Sequence, residues 1–213
     1  DSGILHGAVL DDPLNGGTSG TQDGGTFLLD GGGWRVDTQY NSIYWHVPTL
    51  NHGAFEYNVK GLPGSACPGG AGFKNEISHM YDYTFNNADN SYAPGYRDDP
   101  YKQFLRKQCD PGKMNTMEIV WQILPNVLEQ DTGALSWDVN TNYLFRNEWE
   151  NAGGNSTCQT YRDGILVWTQ TISGTWNPAG QSVRIAASTR QADEGATTGT
   201  IYSNVKVYDG SAT

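Results

Sequence analysis

Residues 142–168 read NYLFRNEWENAGGNSTCQTYRDGILVW, and this stretch decides the fold. Asp163-Gly164 stands between two runs of strand-forming residues, Thr157 to Arg162 and Ile165 to Trp168. A two-residue hairpin needs positive φ at both central positions, which costs Gly nothing and Asp little. Upstream, Gly153-Gly154 separates Asn142–Glu150 from the same middle run. The stretch therefore reads as successive antiparallel strands, too tightly connected to leave room for a helix.

Outward from it, the period-two signature of half-buried strands recurs. Ala54 to Lys60 places Phe55, Tyr57 and Val59 on one face and Glu56, Asn58 and Lys60 on the other. Met117 to Ile123 points Met117, Ile119, Trp121 and Ile123 inward, with Glu118 and Gln122 outward. Ile43 to Val47, Ser182 to Ala187 and Ile201 to Tyr208 add further strands. One segment is open to two readings: Asp99-Pro100 suits a helix start, yet Tyr101 to Gln108 also reads as a strand. No internal repeat or low-complexity linker divides the chain, and Asn15 to Gly25 reads as a loop within the domain. The expectation is one all-β domain over residues 1–213, a two-sheet antiparallel sandwich with at most one short helix.

Composition limits the partners. Thirteen basic residues face 23 acidic ones, a net charge of −10, whereas nucleic-acid binders need a basic patch to displace counterions. The densest basic window, Lys102 to Lys107, reads as a solvated strand or turn. Nucleic acid and anionic membrane are thereby disfavoured, and neutral glycans or metal ions suit the charge better. No apolar run approaches the ~18 residues of a membrane span. The chain begins at Asp1 without a Met or a cationic n-region, which fits a processed or trimmed mature form; the expected location is outside the cell.

The three cysteines form no CxxC pair, so zinc has little support. Cys67 lies in a Pro/Gly loop and Cys109 in a Cys-Asp-Pro-Gly turn, flanking one insertion. In an oxidising compartment these two can pair, leaving Cys158 as a small buried hydrophobe.

The run Glu148-Trp149-Glu150-Asn151, then Tyr161-Arg162-Asp163-Gly164-Ile165-Leu166-Val167, Trp176-Asn177-Pro178 and Ser182-Val183-Arg184-Ile185-Ala186 resembles the concanavalin A-like lectin/glucanase superfamily. Tyr202 to Tyr208 is similar to that superfamily's last strand, with an N-terminal partner such as Leu5 to Leu10 beside it. The resemblance implies a jelly-roll sandwich whose curved sheet serves lectins, carbohydrate-binding modules, glycoside hydrolases and polysaccharide lyases. It also implies one structural calcium ion between first and last strands, for which Asp11, Asp12 and Asp209 supply hard oxygen donors. Turn and capping duty explains these aspartates equally well. Fold alone does not assign activity.

Candidate residues for sugar contact are Tyr44, His46, Glu76, His79, Glu118, Gln122, Arg146 and Glu148, expected on one concave sheet face. The expected function is polysaccharide binding outside the cell. A retaining hydrolase would need two carboxyl groups ~5–5.5 Å apart across the scissile bond. Glu76, Glu118 and Glu148 supply them only if their strands are neighbours, although the alternating acidic triad of laminarinase-like enzymes is missing: Ser78 and Met80 come after Glu76. Solvated outer-face carboxylates, paired with Arg146 or a lysine, are the plainer account. A lyase would use His79 or Tyr81 as base with Gln122 and Arg146 against a uronate, but the Gln-x-His motif and Arg-rich strand of alginate lyases are absent. A third class, a structural or adhesive surface protein, would use the aromatic stretch holding Tyr83, Tyr92, Tyr96 and Arg97. His6, His46 and His52 are too scattered for a metal site. Asn155-Ser156-Thr157 matches a glycosylation sequon, relevant in a eukaryotic secretory host.

Overall fold

A computed structural model describes residues 7–64, 67, 72–86, 88–89, 99–187 and 194–210. Among them there is no helix, and sixteen strands form two sheets. The segment open to two readings is the strand Tyr101–Gln108. Tyr92, Tyr96, Arg97, Leu5 and His6 lie outside the described residues.

The strands in chain order are β1 (Ala8–Asp12), β2 (Thr21–Asp23), β3 (Leu28–Asp30), β4 (Gly33–Arg35), β5 (Ser42–His46), β6 (His52–Lys60), β7 (Lys74–Asp82) and β8 (Tyr101–Gln108). They continue with β9 (Met117–Ile123), β10 (Asn126–Asp131), β11 (Asn142–Ala152), β12 (Asn155–Arg162), β13 (Ile165–Ser173), β14 (Gln181–Ala186), β15 (Glu194–Gly195) and β16 (Ile201–Asp209). The first sheet runs β13-β12-β11-β6-β16-β4-β3, with β1 also on β16; the second runs β10-β9-β8-β7-β14-β5-β2, with β15 on β7. Only the two-residue β15 pairs in parallel. The hairpin turns are built as their sequences require: Asp163 and Gly164 have φ of 53° and 78°, and Gly153 and Gly154 have 58° and 80°.

Between the sheets lie Phe55, Tyr57, Val59, Phe145, Trp149, Val205 and Val207 from one side and Ile43, Met80, Leu105, Ile119, Trp121, Val183 and Ile185 from the other. Trp121 stacks on Trp176 at 4.8 Å. A polar seam crosses this core: the Tyr57 hydroxyl donates to Ser78 Oγ at 2.7 Å, and Thr160 donates to Asn147 Oδ1 at 2.9 Å. Cys67 and Cys109 are disulfide-linked with Cα atoms 5.5 Å apart. Cys158 is a free, buried thiol whose pKa burial pushes up.

At the far side of the first sheet, β13 is an edge strand with no charged residue. Its Ser173 end is tied to β10, where Gln170 donates to Gln130 and Asn126 to the Ser173 carbonyl. Its other end exposes Ile165 and Leu166.

Candidate functional site

β7 departs from the strict alternation that would put Glu76, Ser78, Met80 and Asp82 on one face. A bulge falls at Ile77, so that Glu76 pairs with Arg106 while Ser78 pairs with Leu105. A bulge adds one residue to a strand and re-aims the side chains beyond it. Ser78 and Met80 therefore face the core, and Glu76, His79 and Tyr81 share the outer face.

Register then sets that face in rows across the second sheet. Gln122, Lys102, Tyr81, Ser182 and His46 form one row. Val120, Phe104, His79, Arg184 and Tyr44 form the next. Glu118, Arg106 and Glu76 form a third. Although it turns away from the core, the centre of this surface is shielded from water, with Lys102 1% exposed, Arg184 4% and His79 6%, while His46 at its margin is exposed. The basic window Lys102 to Lys107 is thus not solvated, a correction to the sequence reading. Lys102 and Arg106 lie in the shielded face. Lys107 turns the other way, donates to the Met114 carbonyl at 2.9 Å, and has its pKa lowered to about 8 by burial.

One part of the face is an ion network. Arg106 lies 2.7 Å from Glu194, 3.3 Å from Glu118 and 3.5 Å from Glu76. Its guanidinium covers the Phe104 ring at 3.9 Å. Lys74 and Gln108 both donate to Glu118.

The other part is aromatic and cationic. The His79 ring stacks on Tyr81 at 4.7 Å and meets Phe104 edge-on. Burial, then the charges of Arg184, Lys102 and Arg106, hold its pKa well below the ordinary value, so the imidazole is neutral. Arg184 donates to the Tyr81 hydroxyl at 3.1 Å and to the Asp89 carbonyl at 2.7 Å. The Asp89 carboxylate accepts from Tyr81 at 2.6 Å and lies 2.7 Å from His46 Nε2. His46 is sandwiched between Tyr83 at 3.7 Å and Tyr44 at 5.8 Å. Beside them opens a groove of about 360 Å³ lined by Leu10, Ser19, Gly20, Thr21, Tyr44, Trp45 and His46.

Of the eight residues expected at one sugar-binding face, Tyr44, His46, Glu76, His79, Glu118 and Gln122 share this surface. Arg146 and Glu148 do not. β11 pairs with β6 and β12, which puts both on the outer face of the first sheet. There they form an ion pair at 3.0 Å, with Arg146 over the Tyr161 ring. Glu148 consequently cannot meet Glu76 or Glu118 across one cleft. Sequence reasoning passed over Arg184, Asp89 and Glu194. Arg184 had a signal, as the polar residue between Val183 and Ile185. Asp89, from the turn after β7, and Glu194, from distant chain, had none.

The three aspartates suggested for calcium do not converge. Asp12 faces inward, its carboxylate accepting from Leu14, Thr18, Ser19 and Trp45. It pairs with Val205 while Asp209 pairs with Gly53, four residues further along β16, roughly 13 Å away. Among the described residues no group of three or more His, Cys, Asp or Glu is placed to hold a metal ion.

No protein-family model matches the sequence, and no curated protein is similar to it in sequence. Solved structures do match in shape. Alginate lyase Aly36B superposes with a TM-score of 0.54 at 11% identity, covering 93% of this chain and 96% of that one. The Ruminococcus gnavus IT-sialidase CBM40 gives 0.52 at 11% identity, covering 97% and 95%. A native heptameric SAP-like pentraxin from Limulus polyphemus gives 0.53 at 13% identity, covering 84% and 76%. The fold is a two-sheet jelly-roll sandwich. At such identities the match speaks for the fold alone.

Proposed function

We propose that this jelly roll binds a carbohydrate on the outer face of its second sheet, entered from the groove beside Tyr44 and His46. The observation that carries the reading is that groove: about 360 Å³, lined by Tyr44 and His46, whose rings stack at 5.8 Å, and by Thr21, the cross-strand neighbour of Tyr44. Ring faces suit the C–H side of a pyranose, and hydroxyl, imidazole and guanidinium groups suit its oxygens. Two matches of similar shape are a sialidase carbohydrate-binding module, also solved with α2,6-sialyllactose, and an alginate lyase, which supports a saccharide over a protein partner. The disulfide suits an oxidising compartment outside the cytosol.

The test is a glycan array followed by calorimetric titration of the best ligands. Tyr44→Ala and His46→Ala should each weaken binding about tenfold, or ~1.4 kcal/mol, while Arg146→Ala on the opposite sheet leaves it unchanged. The reading fails if no glycan binds, or if Arg146→Ala removes binding and Tyr44→Ala does not. A hydrolase reading retains one observation, the convergence of Glu76 and Glu118 on Arg106. It predicts new reducing ends from a bound polysaccharide, and their loss in Glu118→Gln with binding intact.

A further inference from the structure

The outer face of the second sheet contains a polar group that the fold leaves unanswered. His79 Nε2 is a buried ring nitrogen without a hydrogen-bond partner among the described residues. Native interiors seldom leave such an atom orphaned. Beside it, across one row, is the Arg184 guanidinium; Lys102 and Arg106 lie on the neighbouring strand. The same corner already holds a carboxylate supplied by the chain itself. Asp89, from the turn after β7, places one oxygen 2.6 Å from the Tyr81 hydroxyl and the other 2.7 Å from His46 Nε2. Its backbone carbonyl takes Arg184 at 2.7 Å. Charge-assisted bonds of this kind are the strong ones, and they identify what these donors are arranged to hold.

We propose that the site takes a sugar bearing a carboxylate, and that Asp89 occupies the place of that carboxylate in the free protein. The proposal rests on the carbohydrate-binding reading above and names its ligand class. The bound sugar's carboxylate replaces that of Asp89 on Tyr81 and His46, next to Arg184 and the open nitrogen of His79. Overall charge does not oppose this. The net −10 of the chain is screened over about 8 Å at physiological ionic strength, whereas the donors act at contact.

The experiment titrates the full chain with oligogalacturonate and sialyllactose, each against its carboxyl-reduced neutral counterpart. The acidic forms should bind at least tenfold more tightly, and less tightly as salt is raised. Asp89→Asn, which removes the competing charge at constant size, should tighten acidic binding about threefold or more. Tyr81→Phe should weaken it, with melting curves verifying that both variants fold. Weaker or unchanged acidic binding in Asp89→Asn overturns the surrogate role. Equal binding of acidic and neutral forms, lost in Tyr44→Ala, overturns the ligand class and leaves the carbohydrate reading standing. Binding of no saccharide at all removes both.

Discussion

Three carboxylates share the Arg106 cation, and its removal has a calculable cost. Its side chain is 2% exposed, and those of Glu76, Glu118 and Glu194 are 1%, 7% and 8% exposed. Arg106→Met keeps the apolar stem and deletes the charge, together with the guanidinium that covers Phe104. Leaving a buried partner unpaired costs ~3–5 kcal/mol. The three carboxylates do not multiply that figure, because Lys74 at 2.9 Å and Gln108 at 2.8 Å still answer Glu118. The loss falls first on Glu194, 2.7 Å from Arg106. In a chain of this size, ~3–5 kcal/mol corresponds to a melting temperature lower by about 6–20 °C. Urea unfolding at neutral pH gives the free energy directly. Adding Glu76→Gln and Glu194→Gln to Arg106→Met should recover part of the loss, since neutral amides need no counter-charge. A loss under about 1 kcal/mol, or no recovery in the triple variant, would refute the view that these charges are shielded from water.

Two further outcomes come from the geometry. Burial by itself raises the Asp12 pKa, but hydrogen bonds from Thr18, Leu14 and Ser19 outweigh it and the carboxyl lies below its ordinary 3.8. Its stabilisation is therefore complete above that value and is lost as pH falls through the lower, folded one. Asp12→Asn should cost ~1.5–3 kcal/mol at neutral pH and flatten the acid limb of the urea-midpoint profile; parallel acid limbs would contradict this. Reduction of the Cys67–Cys109 bond, which spans 42 residues, should cost about 4 kcal/mol by loop-closure entropy. Thiol titration should find none accessible in the native protein and one, Cys158, after unfolding without reductant; three native thiols would rule the bond out.

Regular features of this molecule are written locally, and the chemistry is written at a distance. The Asp-Gly and Gly-Gly turns, the alternation in β6 and β9 and the burial of Trp121 each depend on a few adjacent residues, so period and turn chemistry reveal them. Glu118 and Gln122 read correctly as outward for the same reason. Glu148 looks identical by that test, yet it stands on the other sheet, because strand order depends on long-range pairing that no local pattern encodes. The bulge at Ile77 defeats the period-two rule where it matters most, since Glu76 and His79 share a face at a spacing of three. The window Lys102 to Lys107 appears solvated only while Glu194, distant in sequence, is out of view.

The uncharged edge of β13 bears on how this protein behaves in a tube. Nine residues, Ile165 to Ser173, contain no charge, proline or glycine, and Ile165 and Leu166 are 69% and 44% exposed at the hairpin tip. Such an edge is a template for another strand. In concentrated stocks such an edge would be a point of self-association, at the margin of the first sheet and away from the proposed sugar groove. A lysine in place of Ile165 would guard the edge at little cost to packing, giving a more tractable form for crystallisation or immobilisation while the face that carries the chemistry stays as it is.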